Sequence, residues 1–487
     1  MNYTRSRSVP APLDAAAPAP ASTTEPGVDH HSGHRLVLAL ACGATFLGFL
    51  DIAVVNLAMS AISTQFPGSG PTVTWVVSGY AITFAAWLAS AGRLADALGH
   101  KPVLLAGVLG FAVTSGVCAV APTIGVLIAA RACQGLAGAL LLPAALGALL
   151  AATPPARRAA SVGAWSASGA LATAIGPAVG ALVVDAWGWR AIFVMNIPVC
   201  AALVIATATL PRTGAARHGL PDVVGAVALT AGVGAIVAVA TEGRAWNPLA
   251  AWTVAGFGLI AVAVVLWRSA GHPRPALEVR LWRQPEFAAA TIVSFVLGAG
   301  MFNFLLWSPL LLTGVWGLSL LSAAGCVGAA GLVGAVAAAI TGRFTCPGNA
   351  RWVCAGAMVS MAMGHAVLSS PLFGSSRSWL AWALVAVFLG AGMRIGITAL
   401  SVVTANAAGP ERFSSAVALN IGSRQLGGAI GVSVLTGLCA SSDFLPGFHQ
   451  LFAIMTAATL LAAVVAATWM SPRSPYGPSA ITRKDAP

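Results

Sequence analysis

From residue 36 to residue 470 the chain alternates between long apolar runs and short polar or basic breaks. A helix needs roughly 20 apolar residues to cross a bilayer. Applied along the chain, that rule predicts fourteen spans, at roughly 36–60, 73–94, 103–121, 123–150, 159–184, 191–210, 222–241, 250–268, 287–312, 319–341, 353–371, 378–407, 413–440 and 448–470. The flanks differ. Residues 1–34 are rich in Ala, Pro, Ser and Thr and lack the apolar core of a signal peptide, so they read as a disordered tail. Residues 471–487 form a second short, polar and basic tail. The pattern is that of an all-α polytopic membrane protein.

Composition sharpens this reading. Of 487 residues, 58% are hydrophobic and 8% are charged, with a mean hydropathy of +0.87. Soluble domains carry about 25% charged residues, so a cytosolic enzyme, a nucleic-acid-binding module and a disordered chain are excluded. Most of the 54 Gly, and Pro143, Pro177, Pro198 and Pro309 among the 29 Pro, fall inside apolar runs, as is common in membrane helices. The formal charge of +12 would suggest nucleic acid in a soluble domain. Here the basic residues gather in short loops on one side. With the N-terminus inside, the inner segments hold nineteen Lys and Arg and the outer loops hold three, Arg190, Arg244 and Arg377. By the positive-inside rule both termini are cytoplasmic in a multi-pass protein of the cytoplasmic membrane. The eight cysteines show no CxxC and no Cys/His cluster, so no metal site or disulfide framework is indicated.

Four ionisable residues stand inside apolar runs: Asp51, Arg131, Arg394 and Arg424. Such residues are costly in a membrane and are read as functional by default. An internal repeat is also visible. Leu171–Gly176 (LATAIG) in span 5 recurs as Leu426–Gly431 (LGGAIG) in span 13, and Gly92-Arg93-Leu94 recurs as Gly342-Arg343-Phe344. Both pairs are eight spans apart. That spacing predicts two six-helix bundles, residues 35–210 and 287–470, separated by an inserted helix pair and linker at 211–286. Parallel repeats of this kind are a recurrent transporter design with substrate handled near the midplane.

These features carry a family resemblance. Span 1 contains Leu50-Asp51-Ile52-Ala53-Val54-Val55-Asn56-Leu57-Ala58, and the turn after span 2 reads Gly92-Arg93-Leu94-Ala95-Asp96-Ala97-Leu98-Gly99-His100-Lys101. Span 4 contains Arg131-Ala-Cys-Gln134-Gly135-Leu-Ala-Gly138, and span 5 contains Gly176-Pro177 with Gly180. Trp75, Tyr80, Trp189-Arg190 and Asn196-Ile-Pro198 fit the same pattern, as does Asn420-Ile-Gly-Ser-Arg424-Gln425. Over about residues 35–470 the chain resembles the major facilitator superfamily, and within it the fourteen-helix drug:proton antiporters of the antibiotic-efflux and self-resistance type.

The resemblance implies roles. Asp51 lies about fifteen residues, or roughly 22 Å, along its helix. An ionised carboxylate there must be paired or take up a proton, so Asp51 and Arg131 are the expected proton-coupling residues. Asn56, Gln134, Arg394, Asn420, Arg424 and Gln425 are the expected substrate-cavity residues, with Arg394 suited to bidentate contact with a carboxylate or phosphate. Arg424 also reads as shallow enough to snorkel to the cytoplasmic side. Gly92, Arg93, Asp96, Gly99 and Lys101 are expected to form a gating loop, the glycines allowing tight turns and Arg93 pairing with Asp96, the span 10–11 loop or nearby helix ends. Gly176, Pro177 and Gly180, with Gly427 and Gly431, are expected to seal spans 5 and 13 against the opposite half. Trp165, Phe302, Phe304, Trp307, Trp316 and Phe388 are candidate cavity aromatics, and His365 reads as a packing residue.

Spans 9–14 show no cavity carboxylate, so an organic dication is a poor cargo, and a neutral or anionic organic compound is favoured. The expected function is therefore proton-coupled antiport of a small organic compound, an antibiotic being the favoured class, by alternating access. It would be driven by the proton gradient without a bound cofactor, by a monomer in the lipid bilayer, with no nucleic-acid partner. The alternative is a proton-coupled symporter importing an organic solute on the same fold. No phosphate-binding loop, zinc-protease motif or catalytic triad context is present, so the chain does not read as an enzyme.

Overall fold

The computed structural model describes residues 30–470, apart from 68–69, 155–156, 211–221, 274, 278, 347, 375, 409–412 and 440–443. Its helices are α1 His30–Gln65, α2 Trp75–Leu98, α3 His100–Ala119, α4 Ile124–Ala152, α5 Arg158–Trp187, α6 Ala191–Ala208 (interrupted at Met195), α7 Val223–Glu242, α8 Pro248–Gly271, α9 Pro285–Leu310, α10 Leu320–Gly342, α11 Ala350–Leu368, α12 Trp379–Ala408, α13 Phe413–Cys439 and α14 Phe444–Trp469. Among the described residues, twelve are long and apolar enough to span a membrane, and the bent α5 makes thirteen. The remaining long helix, α13, carries Asn420, Arg424 and Gln425. Helix α1 begins at His30, inside the stretch expected to be tail.

Local chemistry sets the ends. Thr123, Asp222, Asn247 and Ser319 cap helix N-termini with side-chain acceptors, and Pro248 and Pro285 occupy first turns, where a missing amide is harmless. Gly99 separates α2 from α3 at φ +94°, a left-handed conformation that favours glycine. Pro177 has no amide to give the carbonyl of Thr173, and α5 bends by 42° between its Gly163–Thr173 and Ile175–Trp187 segments. Pro309 similarly precedes a π turn at Leu311–Val315 that ends α9.

The packing repeats. In the first six helices α1 lies on α5, α2 on α4, and α3 on α4 and α6. In the last six, α9 lies on α13, α10 on α12, and α11 on α12 and α14. The two sets meet along two related seams, α2 with α13 and α5 with α10.

The glycines themselves act within each set, while α5 and α13 are the helices that meet the opposite half, Pro177 lining a small pocket at the α5–α10 seam. A methyl on Gly176 would overlap the Ala53 side chain, and Gly180 lies against Val54, both on α1. Gly427 and Gly431 lie in the same way against Phe295 and Ala299 of α9. Small residues let these backbones approach closely.

The inserted pair covers one seam only. Leu229, Val233 and Val237 of α7 pack with Ala81, Ile82 and Ala86 of α2 and Ala429 of α13. Helix α8 packs on α7, Gly232 facing Gly258, and exposes Trp252, Phe257, Ile260 and Trp267 outward.

Candidate functional site

Asp51 projects from α1 into a sealed polar cluster. Its Oδ2 accepts from Arg131 Nη1 at 2.6 Å, and its Oδ1 accepts from Asn196 Nδ2 at 2.9 Å and Gln134 Nε2 at 3.4 Å. Arg131 also donates from Nε to the Val76 carbonyl at 3.0 Å and from Nη1 to Gln134 Oε1 at 2.6 Å. Ser115 Oγ accepts from Gln134 Nε2 at 2.7 Å. All five polar side chains are buried. A buried ion pair survives when its remaining lone pairs and protons are satisfied, and Gln134, Asn196 and Val76 supply that here.

The motif around Arg131 has a steric logic. The Tyr80 ring lies 4.3 Å from the guanidinium carbon, a desolvated cation–π contact. It reaches that position because Gly135 and Gly138 leave room on α4: a methyl on Gly135 would overlap the Tyr80 carbonyl, and one on Gly138 would lie 2.7 Å from the Tyr80 hydroxyl. Thr83 Oγ1 then ties α2 to the Ala132 carbonyl at 2.7 Å. Asn196 and Ser115 were absent from the expected coupling site, although Asn196 belongs to the motif set. Its position on α6 gave no depth signal to match it with Asp51.

A separate cavity of about 220 Å³ lies between the two six-helix sets. Thr45, Phe49, Ile52 and Ala53 of α1 line it, with Trp165 of α5, Phe302 of α9, Arg394 and Thr404 of α12, and Asn420, Arg424 and Gln425 of α13. Four of the six expected cavity residues are therefore brought together. Asn56 and Gln134 are not. Asn56 turns its amide back to the Ile52 carbonyl at 2.7 Å, and Gln134 belongs to the Asp51 cluster. Arg424 is buried in the wall, so it does not snorkel to a membrane surface.

Of the aromatics, Trp165 and Phe302 line the cavity and Phe304 lines a smaller side pocket at the α5–α10 seam that shares Arg394. Trp307, Trp316 and Phe388 line neither. Trp316 stacks on Phe373 at 5.7 Å instead. His365 is buried against Phe452, ring centroids 5.7 Å apart.

The cavity is asymmetric along its axis. At one end Val54, Val55 and Ala58 of the first set pack with Phe302, Leu306 and Val432 of the second. Toward the other end, Leu146, Trp165 and Ile421 are shared with a space of about 80 Å³ that also touches Gly92, Arg93 and His100. Of the expected gating residues, Gly92 and Arg93 touch that second space. The Arg93 guanidinium donates to the Pro275 carbonyl, in the linker between α8 and α9. Lys101 Nζ donates to the carbonyls of Ala208 at 2.7 Å and Leu210 at 2.5 Å, closing the end of α6. Gly99 makes the turn, whereas Gly92 sits within α2 with only Pro143 nearby. The Asp96 side chain lies outside the described residues. Among the described residues no cluster of metal-ligating side chains occurs.

These features, two helix sets related by a repeat, a cavity between them and a buried charge pair beside it, define a membrane transporter. The model of the Major Facilitator Superfamily matches residues 41–371, and the chain belongs to that family. It is 32% identical over 467 residues to a methylenomycin A resistance protein of Streptomyces coelicolor, covering 92% of this chain and 94% of the relative. It is 29% identical over 446 residues to a methylenomycin A resistance protein of Bacillus subtilis, covering 89% and 94%. A tetracenomycin C resistance and export protein of Streptomyces glaucescens is 30% identical over 422 residues, covering 83% and 76%. A solved structure of a bacterial homologue of the human lysosomal transporter Spinster, inward-facing and unoccupied, shares the fold with a TM-score of 0.61 at 14% identity, covering 91% of this chain and 98% of that one.

Proposed function

We propose that the chain is a proton-coupled antiporter that exports a small organic compound from the cell by alternating access, an antibiotic by analogy with its named relatives. Both termini lie in the cytoplasm, the Gly92–Lys101 turn faces it, and the cavity opens toward it. The halves are residues 35–210 and 287–470, with 211–286 as an inserted unit, and a monomer in the cytoplasmic membrane suffices. The proton gradient drives the cycle and no bound cofactor takes part. The cargo is neutral or anionic.

The observation that supports this most directly is that one helix wall serves two sites. On α1, Asp51 points into the ion-pair cluster while Ile52 and Ala53 form part of the cavity wall. Protonating Asp51 removes the charge that holds Arg131 by a 2.6 Å contact, and α1 is then free to shift against α4. That shift moves the cavity wall. Arg131 remains held by Val76, Gln134 and the Tyr80 ring, so the cluster keeps its shape while its charge changes.

The test is transport in proteoliposomes with an imposed pH gradient, wild type against Asp51→Asn. Gradient-driven transport by the wild type and its loss in the variant support the reading. Equal transport by both, or none by either, overturns it.

A further inference from the structure

Apart from the central cavity of about 220 Å³, a larger space of about 450 Å³ lies at the α2–α13 seam. Ala85 of α2, Ile292 and Phe295 of α9, Leu426 of α13, and Leu277 and Trp282 of the α8–α9 linker line it. Its two hydroxyl residues, Thr291 and Ser423, donate to the carbonyls of Phe287 and Thr291, at 2.8 Å each. The wall left to an occupant is apolar. Helices α7 and α8 close one flank, where Leu277 and Leu426 also pack against the cluster of Leu229, Val233 and Val265. The other flank is open. Ile292 is 45% exposed, and on a membrane-spanning helix that exposure is to lipid.

The depth of the space matches one leaflet. Its wall reaches Phe295, ten residues into α9 from Pro285, and Leu426, thirteen residues into α13 from Phe413. On α2 it reaches Ala85, thirteen residues before Leu98. At the helical rise these are depths of roughly 15–20 Å, close to half of a hydrocarbon core of about 30 Å.

The shallow end carries charge. There the Val279–Arg283 turn crosses the seam, anchored by Leu281, which is buried with Phe287 of α9 and Ala416 and Leu419 of α13. Trp282 follows it in the wall, and tryptophan is favoured at the membrane–water interface. Arg280 and Arg283, on either side of these two residues, are exposed. Residues 274–286 hold three Arg (Arg274, Arg280 and Arg283) and two Glu (Glu278 and Glu286), so the rim is net basic.

A polar, water-soluble molecule gains nothing from an apolar trough, and a cation is repelled at its rim. A phospholipid with an anionic headgroup satisfies both ends, and basic sites between helices at the cytoplasmic membrane surface bind such headgroups. We propose that the α2–α13 seam binds an anionic phospholipid, with one acyl chain along the trough and its phosphate held by Arg280 and Arg283. The site is separate from the central cavity. It requires only that the linker lie at a membrane surface, so it stands whether or not the chain exports a compound.

The test titrates the delipidated full-length protein in detergent with phosphatidylglycerol, with phosphatidylcholine of identical acyl chains, and with glycerol phosphate as the headgroup alone. Native mass spectrometry reads binding. Phosphatidylglycerol is expected to bind about tenfold or more tightly than phosphatidylcholine, from two Arg at about fivefold each, and glycerol phosphate not to bind. Joint Arg280→Gln and Arg283→Gln substitution should bring phosphatidylglycerol down to the phosphatidylcholine level, and the corresponding Lys pair should keep most of the preference. Ile292→Trp, which fills the open flank, should weaken both lipids alike. In wild type, phosphatidylglycerol but not phosphatidylcholine should slow tryptic cleavage after Arg280 and Arg283.

Equal binding of the two lipids, or a preference untouched by the Gln pair, overturns the headgroup assignment. Glycerol phosphate bound as tightly as phosphatidylglycerol marks a free-phosphate site and overturns the lipid. Both lipids bound unchanged by Ile292→Trp overturns the trough as the seat of the acyl chain.

Discussion

Asp51 and Ile52 are neighbours on α1 that face separate compartments: the Asp51 carboxylate meets Arg131 at 2.6 Å inside a closed polar cluster, while Ile52 forms part of the cavity wall. In the proposed antiport, proton and cargo then act on different faces of one helix and do not compete for one carboxylate; α1 is also the helix gripped by α5 through Gly176 and Gly180. Coupling under that proposal is mechanical as well as electrostatic.

Asp51→Ala should destabilise the protein strongly, because it leaves Arg131 buried without its counter-charge, a loss of about 3–5 kcal/mol for a broken buried pair. Asp51→Asn should be milder, since an amide oxygen still accepts from Arg131. Both should abolish transport driven by a pH gradient. Melting in detergent, with transport measured alongside, checks the order wild type, then Asn, then Ala in stability. Equal melting of all three would show that the pair does not hold the cluster.

The all-helical membrane architecture was legible in the sequence through apolar length, and twelve or thirteen helices meet that criterion among the described residues. The repeat was legible too, through LATAIG and LGGAIG. The partners of these motifs were not. Gly176 and Gly431 advertise close approach without saying to which helix, and the answer, α1 and α9, depends on three-dimensional packing within each set. Asp51 and Arg131 stand out as ionisable residues inside apolar runs, but position along a helix is blind to azimuth. Gln134, three residues from Arg131, thus fell into the ion-pair cluster instead of the cavity, and Arg424 turned inward instead of toward a surface. Asn196 and Ser115 complete the Asp51 cluster from α6 and α3, and nothing local to either residue signals it.

Close packing within each set predicts a parallel pair of effects. Gly176→Val and Gly431→Val place branched side chains against Ala53 and Ala299, where even a methyl is crowded. Overpacking of this kind costs about 1–3 kcal/mol, and the two losses should add, since the sites lie in different halves. Thermal unfolding of the single and double variants measures this. A double variant no worse than the singles would argue against independent packing in the two halves.

The inserted hairpin is fastened at one end by Asp222, which caps α7 through the Gly225 amide at 2.8 Å and meets Arg268 of α8 at 3.0 Å. Burial pushes the Asp222 carboxyl up, but the Gly225 amide and the Arg268 guanidinium more than offset this and hold it below the usual carboxylate range. A depressed folded-state value means that the stabilisation is fully present above the ordinary value, about 3.9, and is lost as pH falls through the lower folded value. Asp222→Asn should therefore reduce melting temperature at pH 5–8 and converge with wild type in acid below the ordinary carboxylate value. A constant difference at every pH would show that the cap, and not the charge, carries the effect.

Arg93 links α2 to the linker that joins α8 to α9, through the Pro275 carbonyl. The linker is also where Arg280 and Arg283 stand exposed on the short turn Val279–Arg283, flanking the buried Leu281. A charge-assisted hydrogen bond of this sort contributes about 1.5–3 kcal/mol, which sets how often the linker lifts from α2 in local opening. Arg93→Ala should raise that opening about tenfold or more, seen as faster tryptic cleavage after Arg280 and Arg283. Arg93→Lys, which retains a charged donor, should restore part of the protection. If the linker holds the end of α2 during the cycle, the Ala variant also turns over more slowly than the Lys variant under the same gradient. Cleavage and turnover identical in wild type, Ala and Lys variants would show that the contact with Pro275 restrains neither the linker nor the cycle.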